Sequence, residues 1–490
     1  MCSNAGVQVP EFERLIDAPR WFASQTPAAG AVWFEGTELS YRQLDERADV
    51  LARALLATGV VRGDRVAVVS TARPEFLVAM LGIQRAGAVY VGINPGYTAR
   101  EMHHVLTDSE PVLVLSLAMI AGQPADGVLG AVVAQVPSIT ACFRLDEGPA
   151  TGLLRPHDEL LTRAGDHGAL PDVAPGEAAA LVYTSGSTGT PKGALLPHVA
   201  LAYGALTDAR SMLGVLRPGE VPRVPCNLPI NHIGCVVDVV GCTLVRGGMV
   251  AFVEGFDPGE LLSLIAHLRL TNLQHVPTVL QMVAGHPDFA MTDLSSLRVV
   301  AWGGAALPID VLRVYRRLGV HLATVYGQTE TIANITYSGP DDTDEMLATT
   351  VGRPNPDALV RLVDEDGDDV PDGVEGEVLY RHPAQFLGYF RNPHSTARTL
   401  TVDGSIRTGD VGVRDADGNI RLVGRRSDMF KSGGLNVYPR EIELQLEEHP
   451  SVALAAVVGV HDEVYGEVGV AFVVPHADDA LTAVDLAEWC

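Results

Sequence analysis

Hydrophobic and polar positions along the first third of the chain alternate between two periods, which predict helices and strands in turn. Ser40 and Gln43 form the capping-box pattern that begins a helix, and Leu44, Leu51 and Leu55 share one side of that helix. Apolar runs at 65–70, 88–92 and 112–115 predict buried strands, with a helix predicted at 74–86. Strand, helix and strand at this spacing are typical of an α/β fold with mostly parallel sheets.

The middle of the chain repeats this pattern before it changes. Strands are predicted at 179–183 and 299–302, and helices at 258–270 and 308–318. From 351 to 422, short strands alternate with Asp-Gly dipeptides, which are typical of hairpin turns and predict a small β-barrel or antiparallel sheet. These dipeptides begin at Asp366, Asp372, Asp403 and Asp417. After residue 424 the pattern predicts a helix at 439–448, strands at 452–460 and 468–474, and the start of a helix at 483–490.

We therefore expect an α/β protein with a large N-terminal domain and a small α+β C-terminal domain. The N-terminal core, 1–423, would hold two α/β subdomains over about 10–340 and the small β-barrel over about 341–423. The remaining segment, 424–490, is short for a domain. Because the chain ends inside a predicted helix, we expect this C-terminal domain to be truncated.

The composition and net charge of the chain limit the classes of partner and the cellular location that we expect. The 490 residues include 35 Lys and Arg against 60 Asp and Glu, so the formal net charge is −25. A protein this acidic is not expected to bind nucleic acid or an anionic membrane as its main partner. Residues 1–10 lack the pattern of a secretory signal, and no run reaches the ~18 apolar residues of a membrane span, so we expect a cytoplasmic location. Cys226, Cys235 and Cys242 lie in apolar sequence without a CxxC pair, and we expect small buried hydrophobic side chains there.

Lysine occurs only at Lys192 and Lys431, and the first of these closes a loop rich in glycine and hydroxyl residues. This loop, 184–193, follows directly on a predicted strand. Its glycines expose backbone N–H groups, its hydroxyls add donors and its lysine adds a charge, which together suit phosphate oxygens. The spacing differs from that of a Walker A loop. A flexible linker has a similar composition, but the strand and the lysine favour a phosphate site formed by Thr184, Ser185, Gly186, Ser187, Thr188, Gly189 and Lys192.

This loop resembles the phosphate signature of the AMP-forming adenylating superfamily. That family includes acyl-CoA synthetases, adenylation domains of non-ribosomal peptide synthesis, and luciferases. Segments at 302–306, 325–330, 407–410 and 424–434 resemble further signatures, in the family's own order. The resemblance extends over essentially the whole chain.

The resemblance implies a ligase that joins a carboxylate to ATP, releases pyrophosphate and transfers the acyl group from AMP to a thiol. By resemblance, Thr329 would bond the α-phosphate, Glu330 would hold Mg²⁺ and Tyr326 would stack on adenine. Asp410 would accept hydrogen bonds from the ribose, and Arg425 would reach the phosphate or ribose. The other implied positions are Lys192 and His232 in catalysis, Gly303, Gly304, Ala305 and Gly327 at the nucleotide, and Gly433 and Gly434 at the thioester tunnel.

The sequence departs from the family pattern at two places. Ser427 stands at the hinge where the family has Asp or Lys, with Asp428 next to it, so either residue could be the pivot. The family's catalytic lysine, expected in a Gly-Lys segment, has no counterpart after Lys431. Either the chain is truncated or this lysine is absent, and we expect a chain without it to bind its substrates but adenylate slowly.

The segment 231–242 matches the position of the family's acyl-pocket helix. At α-helical spacing, Asn231, Gly234, Cys235, Asp238, Gly241 and Cys242 share a face of small residues, whereas Ile230, Ile233, Val237, Val240 and Leu244 face the core. A buried aspartate costs several kcal/mol unless it is paired. The partner of Asp238 could be Arg246 or another arginine, or it could be an amine on the substrate.

An aspartate in this helix resembles the β-amino-acid adenylating enzymes of macrolactam biosynthesis, which load a carrier protein. Asn231, Trp302 and Gly327 would line the same acyl pocket, and His232 would gate it or close the pantetheine tunnel. The favoured hypothesis is therefore an amino-acid ligase that loads a carrier protein. The alternatives are a fatty-acyl or aryl-CoA synthetase that uses coenzyme A, and a non-catalytic nucleotide sensor.

Overall fold

The computed structural model describes residues 3–4, 7–166, 168–184, 190–433, 435–476, 481–482, 485–486 and 489. Contacts divide the chain into two compact units. Unit 1 consists of Met1–Ala348 and His382–Arg398, and unit 2 of Thr349–Arg381 and Thr399–Cys490. Each helix in the described part of the chain is too short or too polar to cross a lipid bilayer.

Several helices begin where the sequence offers a cap or a proline in the first turn. Ser40 and Thr98 each form a complete capping box, with Gln43 and Glu101 as the reciprocal partners. The α-helices are α1 (Asp17–Gln25), α2 (Tyr41–Ala57), α3 (Pro74–Arg85), α4 (Ala99–Ser109), α5 (Ala125–Val133), α6 (His157–Leu161), α7 (His198–Ser211), α8 (Cys242–Leu244), α9 (Pro258–Leu268), α10 (Pro277–Ala284), α11 (Ile309–Arg316), α12 (Asp344–Thr349), α13 (Pro393–Thr399) and α14 (Pro439–Glu447). Short 3₁₀-helices lie at Thr162–Asp166, Leu213–Val215 and Phe289–Met291, and a π-helix lies at Gly234–Gly241.

The strands follow the apolar runs of the sequence. They are β1 (Ser3–Asn4), β2 (Val7–Gln8), β3 (Gly30–Phe34), β4 (Thr37–Ser40), β5 (Arg65–Val69), β6 (Val89–Ile93), β7 (Leu113–Ser116), β8 (Met119–Ile120), β9 (Gln123–Pro124), β10 (Ala141–Arg144), β11 (Ala178–Thr184), β12 (Lys192–Pro197), β13 (Arg223–Cys226), β14 (Met249–Phe252), β15 (Asn272–His275), β16 (Val299–Gly303), β17 (His321–Tyr326), β18 (Thr336–Tyr337), β19 (Arg353–Pro354), β20 (Leu359–Val363), β21 (Glu375–Arg381), β22 (Gly388–Tyr389), β23 (Ile406–Arg414), β24 (Ile420–Arg425), β25 (Phe430–Ser432), β26 (Leu435–Val437), β27 (Val452–Asp462) and β28 (Gly466–Pro475).

Unit 1 has mainly parallel sheets, as the sequence predicts. Its largest sheet runs in the order β10-β7-β5-β6-β11-β12-β22, with parallel pairing from β10 to β11 and antiparallel pairing from β11 to β22. Val66 and Val69 of β5 are fully buried, as expected of a strand covered on both faces. A second sheet pairs β13, β14 and β3 in parallel, and a third pairs β15, β16 and β17 in parallel.

Unit 2 is antiparallel, which confirms the change of pattern after residue 351. One sheet has the order β20-β21-β23-β24, and the other has the order β26-β25-β28-β27 with Lys431 in β25. The glycines of the four Asp-Gly dipeptides, Gly367, Gly373, Gly404 and Gly418, have φ between 83° and 89°. This left-handed conformation is one that glycine adopts without the steric cost of a Cβ atom.

The local predictions and the observed elements differ mainly at their ends. The helix predicted at 308–318 is α11, Ile309–Arg316, and the strand predicted at 468–474 is β28, Gly466–Pro475. The domain boundary at 424 stays a prediction. Most of the helix predicted at 483–490 lies outside the described residues. The α-helical spacing assumed for 231–242 is wrong, because residues Gly234–Gly241 form a π-helix.

Candidate functional site

The glycine and hydroxyl loop connects two neighbouring strands of the largest sheet. Thr184 ends β11 and Lys192 begins β12, and these residues are partners in the antiparallel pairing. The Thr184 hydroxyl lies 3.5 Å from the carbonyl oxygen of Lys192, to which it donates a hydrogen bond. Ser185, Gly186, Ser187, Thr188 and Gly189 lie outside the described residues. The two ends of the predicted phosphate loop are therefore held together by the sheet.

Tyr389 connects Lys192 to Glu330. The Lys192 Nζ atom lies 5.5 Å from the centroid of the Tyr389 ring, a distance at which a cation is attracted to the ring face. The Tyr389 hydroxyl donates a 2.5 Å hydrogen bond to Glu330 Oε1. Tyr389 is held in place because β22 pairs with β12, with Tyr389 opposite Ala194. One side chain thus contacts both the candidate phosphate lysine and the candidate metal carboxylate.

Glu330 has the surroundings that a divalent cation requires. Its side chain is buried, as is that of Thr329, with relative exposures of 6% and 7%. Among the described residues, no lysine or arginine forms an ion pair with Glu330, and Tyr389 supplies its side-chain hydrogen bond. A buried carboxylate without a protein cation is costly. Mg²⁺ binds through one or two carboxylates together with phosphate oxygens, so Glu330 fits this ion.

Two parallel strands of the third sheet end beside each other at the candidate nucleotide site. The strand β16 ends at Gly303 and β17 ends at Tyr326. Ligands in α/β proteins commonly bind at such carboxyl ends of parallel strands. A Cβ atom at Gly303 would lie 3.1 Å from the Val325 side chain, and one at Gly327 would lie 2.9 Å from Asn334 Oδ1. A side chain at either glycine would therefore crowd Val325 or Asn334 at the ends of these strands.

The segment 302–305, a candidate nucleotide-binding turn at the end of β16, has an exposed part and a buried part. Gly304 and Ala305 are exposed, and Gly304 has φ +85°, a conformation that glycine adopts freely. Trp302 is buried, and its Nε1 atom has no hydrogen-bond partner among the described residues. An indole N–H that is buried without a partner is available to an acceptor on a ligand.

Unit 2 holds the candidate ribose, hinge and tunnel residues. Asp410 and Arg425 are partners across β23 and β24, and Arg425 Nε donates a 3.1 Å hydrogen bond to Asp410 Oδ1. At the hinge, the Ser427 hydroxyl donates to Asp428 Oδ1 over 2.9 Å. Gly433 has φ +58°, and Gly434 lies outside the described residues. The Asp410 carboxylate is therefore bound by an arginine from its own sheet.

The acyl-pocket segment differs from the face of small residues expected for an α-helix. Cys235, Gly241 and Cys242 are buried, and a Cβ atom at Gly241 would lie 3.1 Å from the Ala205 Cβ of α7. Three members of the expected face keep accessible surface, namely Asn231, Gly234 and Asp238. The wider turn of the π-helix changes which side chains share a face.

Asp238 is paired with a carboxyl group instead of the arginine considered above. The Asp238 carboxyl contacts that of Asp208 in α7, and no arginine is among the groups that shift the pKa of Asp238. Burial, followed by the nearby charge of Asp208, raises the pKa of Asp238 well above its usual range. Burial also raises the pKa of Asp208, to about 6.

Asn231 and His232 lie at the start of this segment. Asn231 Nδ2 donates a 2.7 Å hydrogen bond to the Tyr97 hydroxyl, and Asn231 Oδ1 is buried without a partner in the described part of the chain. The His232 ring keeps an exposed part, and the protein around the rest of the ring lowers its pKa by desolvation. A Cβ atom at Gly234 would lie 3.1 Å from His232 Nδ1 and 3.7 Å from Asp238 Oδ2. Gly234 thus leaves space between these two groups.

Sequence reasoning missed Asp208, Tyr337 and Tyr389. A carboxylate at Asp208 within the apolar helix α7 was a signal, because such residues are seldom fully buried without a partner. The Tyr337 and Tyr389 side chains gave no local signal, since strand pairing and packing bring them to Asp208 and Glu330.

Comparison with known proteins identifies the family to which the chain belongs. The model of the AMP-binding enzyme matches residues 19–390, and that of the AMP-binding enzyme C-terminal domain matches residues 441–490. The chain belongs to the AMP-binding enzyme family. This AMP-binding enzyme is 34% identical to a feruloyl-CoA synthase of Amycolatopsis over 469 residues, which are 95% of this chain and 90% of that protein.

Two further proteins similar to this AMP-binding enzyme cover most of its length. An indoleacetate–CoA ligase of Aromatoleum aromaticum is 35% identical over 454 residues, which are 92% of this chain and 86% of the ligase. The crystal structure of ATP-bound MatB from Rhodopseudomonas palustris superposes with a TM-score of 0.85 at 30% identity and covers 97% of this chain and 92% of MatB. The α/β fold expected from the sequence is thereby confirmed.

Proposed function

We propose that this AMP-binding enzyme is an ATP-dependent acid–thiol ligase that forms an acyl-AMP and then a thioester. The observation that carries the proposal is the side chain of Tyr389, which lies against the Lys192 ammonium and bonds the Glu330 carboxylate. A phosphate-binding cation and a metal-binding carboxylate at one place are what a reaction at a nucleotide phosphate requires. The ATP-bound MatB structure supports ATP as the nucleotide.

In the first step, an oxygen of the substrate carboxylate attacks the α-phosphorus of ATP. The bond between the α-phosphorus and the bridging oxygen breaks, and pyrophosphate leaves with the electron pair. Lys192 would neutralise phosphate charge, and the Thr329 hydroxyl would donate to the α-phosphate. Mg²⁺ held by Glu330 would supply further charge neutralisation. In the second step a thiol loses its proton and attacks the acyl carbon, and AMP leaves.

We propose coenzyme A as the thiol acceptor. Both curated relatives carry names that specify CoA thioesters, and each extends over more than nine-tenths of this chain. The carrier protein expected from the sequence is the alternative acceptor. Its support is the sequence resemblance of the Asp238 segment to carrier-loading enzymes.

We further propose that the substrate acid carries an amine, which Asp238 recognises. The support is a partly exposed carboxyl group that has no arginine or lysine partner among the described residues and borders the space beside Gly234. An ammonium group compensates a poorly solvated carboxylate, whereas an alkyl or aryl group does not.

Substrate-dependent exchange of pyrophosphate into ATP tests the ligase. We expect exchange with an organic acid and a loss of at least a hundredfold in Glu330→Gln. Glu46→Gln, at an exposed position of α2, is the matched control and should behave as the wild type. Exchange that stays intact in Glu330→Gln, or that no acid supports, would contradict the proposed activity.

A second experiment tests the substrate and the acceptor. The panel pairs β-amino acids with their α-isomers and with the same acids lacking the amine, each offered coenzyme A or a phosphopantetheinylated carrier protein. We expect amine-bearing acids and coenzyme A to give the highest kcat/KM, and Asp238→Asn to remove the preference for the amine. A preference for the amine-free acids would exclude the amine while leaving the ligase intact.

A further inference from the structure

We propose that Asp208 and Asp238 form one amine-recognition site in which the two carboxyl groups share a proton and present a single negative charge to a cationic substrate amine. This inference rests on the proposed ligase function and deepens it. It adds Asp208, a residue of α7 that sequence reasoning did not select, as a residue that determines specificity.

A shared proton would satisfy two buried oxygens that otherwise have no partner among the described residues. Asp208 Oδ2 and Asp238 Oδ1 are both buried, and neither accepts a hydrogen bond from a donor among the described residues. The two carboxyl groups nevertheless contact each other. Two ionised carboxylates in contact would repel, whereas one proton between them gives each buried oxygen a partner. The pair therefore carries one negative charge.

The hydrogen bonds around the pair place that charge mainly on Asp208. Asp208 Oδ1 accepts a 2.6 Å hydrogen bond from the Tyr337 hydroxyl and a 3.0 Å hydrogen bond from Asn334 Nδ2. Donors of this kind stabilise the ionised form of a carboxyl group. Asp238 has no such donor in the described part of the chain, so the proton belongs mainly to Asp238. The pKa values of both carboxyl groups are raised, as expected of two groups that hold a proton between them.

The other titratable groups around the pair do not neutralise its charge. Tyr337 faces it from β18, Cys235 from the π-helix and Cys242 from α8, and the pKa values of all three are raised, whereas desolvation lowers the pKa of His232 beside Asp238, so all four are neutral at pH 7. Arg246 lowers the pKa of Cys242, and it is not among the groups that shift the pKa of Asp208 or Asp238. One uncompensated negative charge remains, and one ammonium group would balance it.

The partly exposed side of Asp238 gives a ligand access to the pair. Asp208 is completely buried, whereas Asp238 keeps accessible surface. Asp238 Oδ2 lies 3.7 Å from where a Gly234 Cβ atom would be, in the space beside His232. A substrate amine can therefore contact Asp238 directly. Asp208 acts through Asp238 as a positioning residue and carries most of the negative charge of the pair.

The test compares the pH dependence of KM for an amine-bearing acid and for its amine-free partner, between pH 5 and pH 8.5, in pyrophosphate exchange. In the wild type, KM for the amine-bearing acid should rise up to tenfold per pH unit below about pH 6, as Asp208 takes up the second proton and the pair becomes neutral. The amine-free acid should lack this limb, since it has no charge to balance.

Two variants distinguish recognition of the amine by the coupled pair from recognition by Asp238 alone. In Asp208→Asn the limb passes to Asp238, which lacks the donors that favour ionised Asp208, so the acid limb should move to higher pH, whereas Asp238 acting alone would lose a neighbouring charge and shift to lower pH. In Tyr337→Phe, Asp208 loses a donor to its ionised form, so the limb should move to higher pH. A limb that stays at the wild-type pH in both variants would overturn the proposal.

Infrared spectroscopy tests the shared proton without relying on a substrate. At pH 7 the difference spectrum between the wild type and Asp238→Asn should contain the C=O stretch of a protonated carboxyl group. Absence of this band would overturn the shared proton. If the band is present but only amine-free acids support exchange, amine recognition would be overturned and the ligase function would remain. If no acid supports exchange, the proposed function itself would be refuted.

Discussion

At the scale of single residues, Tyr389 has two separable contacts. Its ring attracts the Lys192 ammonium, and its hydroxyl bonds Glu330 Oε1 over 2.5 Å. Phenylalanine at this position retains the ring and removes the hydroxyl, whereas leucine removes both. The two contributions can therefore be measured one at a time.

Tyr389→Phe should selectively weaken the binding of Mg²⁺ with the nucleotide. A hydrogen bond to a charged group contributes about 1.5–3 kcal/mol, so we expect the Mg²⁺ concentration at half-saturation to rise about tenfold or more. Calorimetric titration of ATP at several Mg²⁺ concentrations measures this change. Tyr389→Leu should in addition weaken ATP binding in the absence of Mg²⁺, because the contact with Lys192 is lost.

Tyr41→Phe is the control for this prediction. The buried Tyr41 hydroxyl donates to the Gly248 carbonyl oxygen over 2.7 Å, a hydrogen bond that does not involve Glu330. Its loss should lower the thermal stability but leave the Mg²⁺ dependence unchanged. An equal rise in the Mg²⁺ requirement of both variants would show that Tyr389 acts only through overall stability.

The candidate residues that sequence reasoning identified share a local signal, and those that it missed do not. Lys192 stands in a glycine-rich loop after a strand, and Glu330 stands in a six-residue signature, so neighbouring residues identify both. Tyr389 lies 59 residues from Glu330 in sequence and meets it through strand pairing. Asp208 and Tyr337, which are 129 residues apart, meet because helix α7 packs within unit 1. Such contacts depend on tertiary packing, which local periodicity does not encode.

At the scale of elements, the π-helix Gly234–Gly241 packs closely against α7. A Cβ atom at Gly204 of α7 would lie 2.8 Å from Val237 Cγ1, which is closer than real Cβ contacts allow. Gly241 makes the reciprocal approach, with Ala205 at 3.1 Å. Glycine on each element thus brings Asp208 and Asp238 within reach of one another.

Gly204→Ala should therefore destabilise unit 1 although alanine favours helices. Overpacking of this kind costs about 1–3 kcal/mol, which outweighs the gain in helix propensity of about 1 kcal/mol. The matched control is Gly127→Ala in α5, where a Cβ atom would meet nothing within 4 Å, and it should be neutral or stabilising. Urea denaturation measures both variants, and equal effects of the two substitutions would contradict the close approach.

Element types were predicted well where one pattern dominated. The apolar runs of β5 and β11 and the proline-led helices α3 and α9 follow local propensity, so the sequence predicted them to within about two residues at each end. The π-helix was not predicted, because its apolar and small residues fit an α-helix equally well. Packing against α7 rather than propensity decides between the two helix types there.

At the scale of the whole molecule, the Asp208 and Asp238 pair makes stability depend on pH in an unusual direction. The pKa of Asp208 is about 6 in the folded protein and 3.8 in the reference state, so the folded protein keeps a proton that the unfolded chain has released. Stability therefore falls as pH rises through this window, by at most about 1.4 kcal/mol per pH unit for each such proton. The pKa of Asp238 is raised as well, so Asp238 adds to the fall in stability as pH rises.

Asp208→Asn should consequently gain stability relative to the wild type as pH rises from 5 to 8. Other carboxylates are common to both proteins, so the difference between their unfolding temperatures isolates the pair. Differential scanning calorimetry at several pH values measures this difference. A difference that does not change with pH would show that the two carboxyl groups are not coupled in the folded protein.

The chain's two lysines have a practical consequence, since Lys192 begins β12 in unit 1 and Lys431 lies in β25 of unit 2. A reagent that modifies amines places one side-chain label in each unit, apart from the terminal amine. Reductive methylation with isotope-labelled formaldehyde would give each unit its own resonance. Shielding of the half-buried Lys192 by a nucleotide could then be followed separately from events at the exposed Lys431, without engineering a single residue.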